Sequence, residues 1–146
     1  AVAAEQMGGA QEILDRTVAF MQERVQFGRR IASFQAIKHK AADMMLKCEV
    51  SRSAVYYAAC VAQEALQVDG DKTLAAELHE AAAMAKGYCS DSFFFNAGSA
   101  IQLYGGVGFT WEYDVHLYFK RAKNTELFLG NSAYQRELVA QMLLDA

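Results

Sequence analysis

The sequence predicts an all-α fold, an up-and-down antiparallel helical bundle. Three observations point to it. No proline occurs in 146 residues, so nothing removes a backbone donor or breaks a helix. Ala, Leu, Met, Gln, Glu and Lys, which lose little freedom in a helix, dominate over the β-branched residues. Apolar residues recur at spacings of three and four over long stretches, the period of one helical face. A chain of this length with 53% hydrophobic residues suits one compact core, and residues 1–146 are expected to form a single helical-bundle domain.

The first helix runs from Val2 to about Arg24, with Met7, Ala10, Ile13, Leu14, Thr17, Val18 and Met21 on one face. It is expected to stop near Phe27-Gly28, with Gly28 as a left-handed cap and Arg29-Arg30 following as solvated charge. Ser33 is the expected N-cap of a second helix. Its apolar positions include Phe34, Ile37, Ala41, Met44, Met45, Cys48, Val55, Ala59 and Leu66. That pattern meets no breaker until Val68-Asp-Gly-Asp71, where a tight connection would turn the chain back. A third helix, from about Thr73 to about Leu103, should therefore lie antiparallel to the second.

After Leu103 three glycines fall within four residues, at Gly105, Gly106 and Gly108, followed by Phe109, Trp111 and Tyr113. A structured turn fits this better than a flexible linker. Two shorter helices, from about Asp114 to Lys123 and from about Ser132 to Leu144, complete the bundle around an irregular stretch at Leu129-Gly130-Asn131.

Composition removes several classes of partner. A formal charge of −3 with the signs interspersed offers no basic footprint for nucleic acid and no polybasic patch for an anionic membrane. Apolar runs are broken well before the roughly 20 residues that a bilayer span needs. No signal peptide opens the chain, so a soluble, intracellular, cytoplasmic location is expected. Because the first residue is Ala1 and already inside a helical pattern, a piece of a longer protein is expected.

Cys48, Cys60 and Cys89 are odd in number and lack C-x-x-C spacing, so free thiols are expected. His39, His79 and His116 show no ligand spacing, and no metal site is expected. Phe93-Phe94-Phe95 cannot all face one core, so at least one ring should meet another domain or subunit.

The glycine turn is the most specific stretch. A Gly-Gly-x-Gly run without a preceding strand, and without a following Lys-Ser/Thr, supports neither a dinucleotide fingerprint nor a P-loop. Glycine also allows backbone to approach a flat ring closely or to adopt positive φ. In its context, Ala100-Ile-Gln-Leu-Tyr-Gly-Gly-Val-Gly-Phe-Thr-Trp-Glu112, the segment resembles the A-x-Q-x-x-G-G-x-G-[FY]-x-x-E pattern of acyl-CoA dehydrogenases. A second stretch is similar to that family's R-x-x-F-G-x-x-[IL]-x-x-[FH]-Q signature: Arg24-Val-Gln-Phe-Gly-Arg29, continuing through Ile31 to Gln35. A third, Arg121 to Arg136, resembles the family's R-D-A-[KR]…[EF]-G-T-x-x-[IV]-Q-R ending. It departs at Leu129-Gly130-Asn131, where many members have Glu-Gly-Thr.

The resemblance implies the C-terminal helical bundle of an FAD-dependent enzyme that dehydrogenates an acyl-CoA thioester across its α,β bond. It implies that Arg24 lies near the flavin's pyrophosphate, with Phe27 and Gln35 packed near the cofactor. A guanidinium suits a diphosphate because its fork donates paired, charge-assisted hydrogen bonds. Gln102, Gly105 and Gly106 are implied to contact the flavin of a partner subunit, and Asn131 stands where a Thr assists flavin binding. Glu112 is implied as the base, with Phe109, Trp111 and Tyr113 as apolar walls that would raise its pKa. In a subset of the family the base lies instead just upstream of the position of Ala1. The implied partners are an electron-transfer protein and further subunits, in a homo- or hetero-oligomer built as a dimer of dimers. The alternative is a non-catalytic helical subunit that completes the flavin site of a heteromeric partner.

Overall fold

The structure is a computed structural model that describes residues 1–67 and 72–144. It contains five α-helices and one short hairpin: α1 (Val2–Glu23), β1 (Val25–Gln26), β2 (Arg29–Arg30), α2 (Gln35–Gln67), α3 (Lys72–Tyr104), α4 (Val115–Leu127) and α5 (Ser132–Leu144). The connection expected at Val68-Asp-Gly-Asp71 lies outside the described residues.

The helical faces follow the predicted periodicity. On α1 the buried residues are Gln6, Ala10, Ile13, Leu14, Thr17 and Met21. Of these, Ala10, Ile13 and Leu14 meet Met44 and Cys48 of α2 and Phe93, Ala97, Ala100 and Ile101 of α3 in one apolar cluster. Burial of these side chains, each worth about 1.5–3 kcal/mol for the larger ones, drives assembly of the bundle. α2 buries a narrower stripe than its sequence pattern suggested, since Met45 and Leu66 are exposed.

Side-chain pairings give the directions. Asn96 Nδ2 donates to the carbonyl of Met44 at 3.2 Å, and Tyr57 donates to Glu77 at 3.0 Å, so α2 and α3 run antiparallel. Gln6 donates to Ser90 at 3.0 Å and Tyr104 to the carbonyl of Arg16 at 3.2 Å, so α1 and α3 run parallel. α4 turns back along α3, with Phe119 on Phe94 and Glu126 beside Lys86. α5 then packs on the same helix, with Gln135 against Gly87 and Arg136 paired with Asp91. Two short helices thus both pack on one long one.

Several local expectations are corrected. Gly28 does not cap α1, which ends at Glu23 with Arg24 in an extended conformation (φ −67°, ψ 124°). Instead Phe27 (φ 54°) and Gly28 (φ 76°) form the two-residue tip of the hairpin, where Val25 pairs with Arg30 and Gln26 with Arg29. Both central residues at positive φ mark the turn whose twist matches paired strands. Ser33 is not the N-cap of α2: it belongs to a 3-10 turn, and its hydroxyl donates back to the Arg30 carbonyl at 2.7 Å. α4 runs on to Leu127, four residues beyond the expected Lys123.

Of the three consecutive phenylalanines only Phe93 is fully buried, while Phe94 and Phe95 are half-buried. Phe93 fills the gap above Gly9, Phe94 packs on Phe119 with centroids 5.0 Å apart, and Phe95 lies under Lys40 and Lys47.

Candidate functional site

The first glycine of the turn closes α3. Gly105 adopts φ +68°, which ends the helix, and a 3-10 turn then carries the chain through Gly105–Phe109. This end of α3 is pinned to α1 by rings. Tyr104 stacks on Phe20 with centroids 3.9 Å apart, and Tyr113 meets both edge-on. Gly108 is buried, and a Cβ there would lie 3.0 Å from the carbonyl oxygen of Ile101, so close backbone packing requires glycine. Burial pushes the Tyr104 phenol above its ordinary pKa, against the pull of Arg16.

Between this turn and the hairpin lies an open cleft of about 520 Å³, with Arg24 and Phe27 on one wall and Leu103, Gly105 and Gly106 on the other. Parts of the two signatures Arg24–Gln35 and Ala100–Glu112, far apart in sequence, meet here. A Cβ at Gly105 or at Gly106 would touch nothing within 4 Å, so bare backbone faces open space. The Arg24 guanidinium is exposed and has no hydrogen bond or ion pair among the described residues. Its backbone is fixed, however: Arg24 N donates to Phe20 O, and Arg24 O accepts from Ile31 N, each at 2.9 Å. Phe27 is 90% exposed at the hairpin tip, its ring meeting only the edge of Phe34. Arg29 is exposed, as expected of solvated charge, and its guanidinium lies over the Phe34 ring at 4.0 Å.

The other candidates fall at different distances from this cleft. Gln35 opens α2 and Gln102 lies in the last turn of α3; both are exposed and neither lines the cleft. Glu112 lies beyond the 3-10 turn, exposed, without a partner among the described residues, and also outside the cleft lining. The expected apolar walls do not enclose it. Trp111 turns towards His116 with ring centroids 4.6 Å apart, Tyr113 packs on Phe20, and Phe109 is 72% exposed. Asn131 sits at the start of α5, where its Oδ1 accepts from Tyr134 N at 2.9 Å as a helix cap. That bond leaves its amide NH2 to donate elsewhere.

Among the described residues no group of three His, Cys, Asp or Glu is placed to hold a metal ion. No helix among them is long and apolar enough to cross a membrane. All three cysteines are free thiols; Cys48 and Cys89 are buried and Cys60 is exposed.

Residues 1–144 match the family model described as "Acyl-CoA dehydrogenase, C-terminal domain". Among curated relatives, the acyl-CoA dehydrogenase IpdE2 of Mycolicibacterium smegmatis is 38% identical over 142 residues, which is 97% of this chain and 41% of that protein. Among solved structures, butyryl-CoA dehydrogenase from Megasphaera elsdenii superposes with a TM-score of 0.86 at 35% identity, over 98% of this chain and 35% of that one. A variant of the Tcur3481-Tcur3483 steroid ACAD does so with a TM-score of 0.87 at 28% identity, over 99% of this chain and 37% of that one. The chain thus spans about two-fifths or less of the length of each protein it resembles. With a fold that superposes on these structures and a family match over all but its last two residues, the chain belongs to the acyl-CoA dehydrogenase family, as its C-terminal domain.

Proposed function

We propose that this chain is the C-terminal, flavin-contacting part of a longer FAD-dependent acyl-CoA dehydrogenase subunit. The observation that carries this reading is the cleft, where an unpaired guanidinium and two bare glycine backbones face one open volume. The donor set fits the cofactor. Arg24 would hold a diphosphate through its fork of N–H donors, and Gly105 and Gly106 admit a flat ring without a Cβ in the way. Gln35 and Gln102 add exposed amide donors outside the cleft lining, and the free NH2 of Asn131 is presented separately, beside Gly87 in the middle of α3. Phe27 supplies an apolar cover that excludes water once a neighbouring subunit closes over it. FAD, when bound, supplies the acceptor for the hydride that leaves the β-carbon of an acyl-CoA thioester.

In this reading Glu112 takes the α-proton onto its carboxylate. Glu112 is exposed here, so in this reading a partner surface covers it in the assembled protein. Electrons then leave through an electron-transfer protein, and the assembly is a dimer of dimers in which each cleft meets a neighbour's cofactor.

Three observations favour a second reading, in which the chain completes the flavin site of a different polypeptide without supplying a base. Glu112 stands outside the cleft, and the position at which many relatives carry Glu holds Leu129, exposed at φ +61°. One of the similar structures, moreover, is named for two proteins together.

Purification of the full-length protein separates the two. A yellow homo-oligomer that reduces its flavin with an acyl-CoA, and slows by about two orders of magnitude or more as Glu112→Gln, supports the base. Turnover unchanged by that substitution removes Glu112 from the mechanism. A chain that stays colourless until a second polypeptide is added supports the non-catalytic role.

A further inference from the structure

Lys86 lies in the middle of α3, is only 6% exposed, and points into the bundle. Its ammonium donates to Ser90 Oγ at 2.8 Å, to Glu126 O at 3.1 Å and to Gly130 O at 2.9 Å. Three N–H donors thus meet three acceptors, and among the described residues no carboxylate forms an ion pair with it. Burial pushes its pKa below the ordinary lysine value, which shows that the charge is held there against a desolvation cost. Such a charge persists where its hydrogen bonds fix something that would otherwise relax.

What they fix is the break between α4 and α5. Leu129 (φ +61°) and Gly130 (φ +91°) are both left-handed, a conformation a leucine adopts at a cost. Three carbonyls around this break accept from side chains. Lys86 takes those of Glu126 and Gly130, and Gln135 Nε2 takes that of Leu129 at 2.7 Å. The anchor continues inward, because Ser90 also accepts from Gln6 of α1 at 3.0 Å. One ammonium therefore ties α3, α4 and the break before α5 at a single point, and reaches α1 through Ser90. It also lies near the last carbonyls of α4, where a cation is favoured by the helix dipole.

We propose that Lys86 is a positioning residue whose ammonium sets the strained Leu129-Gly130-Asn131 turn, and so the direction in which the Asn131 amide is presented to a cofactor. The functional half of this inference rests on the reading of Asn131 as a flavin contact. The structural half does not.

The test uses the full-length protein, first freed of flavin, with amide hydrogen exchange read across residues 124–136. Lys86→Met keeps the length and apolar stem of the side chain and removes the donors. It should speed exchange at Gly130, Tyr134 and Gln135 by roughly tenfold or more, the weight of hydrogen bonds to a charged group. Exchange in the first half of α2 should not change, and Lys86→Arg, which keeps the charge and donors, should restore part of the protection. If Lys86→Met does not fold, Lys86→Gln carries the same comparison. Unchanged protection at the turn overturns the inference, and so does a uniform loss across the whole bundle, which marks a merely structural lysine. A flavin titration then separates the two halves. A loosened turn with flavin affinity about tenfold weaker supports both. A loosened turn with unchanged affinity keeps Lys86 as the anchor and overturns the cofactor role of Asn131.

Discussion

The ring of Phe20 on α1 stacks on that of Tyr104, the last residue of α3, with centroids 3.9 Å apart and planes within 11°. This pair fixes where α3 stops and hence where Gly105 and Gly106 emerge. Phe20→Ala removes the stack and the edge contact to Tyr113, and should cost about 2–4 kcal/mol in denaturant unfolding of the full-length protein. Flavin affinity should fall with it. A variant that loses stability yet binds flavin as before would show that the cleft does not depend on this stack.

Adjacent glycines on α1 predict effects of opposite sign. A Cβ at Gly9 would come within 2.5 Å of the buried Phe93 ring, whereas one at Gly8 meets nothing within 4 Å. Gly9→Ala should destabilise by about 1–3 kcal/mol through overpacking. Gly8→Ala should stabilise by about 0.5–1 kcal/mol, since alanine loses less backbone entropy in a helix. Melting curves of the two variants check both signs.

The turn glycines separate folding from binding. Gly106→Ala places its methyl in open space, so stability should stay within about 0.5 kcal/mol of wild type while flavin affinity drops. Gly105→Ala must strain a backbone held at φ +68° and should lower stability by about 1 kcal/mol as well. Equal flavin affinity in Gly106→Ala and wild type would remove this turn from the cofactor site.

Two thiols predict alkaline sensitivity. Burial raises the pKa of Cys48 and of Cys89 from 9.0 to about 11. Above pH 9 the unfolded chain sheds these protons and the folded chain keeps them, so the stability they contribute is complete below pH 9. It is lost as pH rises through about 11. The loss is on the order of 2 kcal/mol for each thiol. Denaturant titrations at pH 8 and pH 10.5 should differ by more in wild type than in a Cys48→Ala, Cys89→Ala double variant. At pH 8 a thiol reagent should label Cys60 at once and the two buried cysteines only on unfolding.

Much of the bundle was legible because helical faces repeat. Ala10, Ile13, Leu14 and Met21 are buried as their spacing requires. The hairpin was not. Its tip is Phe-Gly rather than the Asn-Gly that signals this turn, and two-residue strands are too short to show alternation. Of the candidate site, Arg24, Phe27, Gly105 and Gly106 were both named and brought together. Glu112 was named on sequence context, and the fold leaves it outside their cleft. Lys86 escaped notice because a lone lysine in a helical pattern reads as solvated. Only the packing of a turn some 40 residues further along the chain buries it.

Because α5 packs on α3, as α4 does, instead of trailing away from it, the C-terminal segment cannot be treated as a dispensable tail. A stop codon at Asn131 would leave Asp91 without Arg136 and the Leu129 carbonyl without Gln135, and would uncover the groove between Ala83 and Val139. A genetic lesion there would strike the middle of α3 rather than its end. Such truncations should surface as loss of the whole protein in cells, not as a slightly shortened active one.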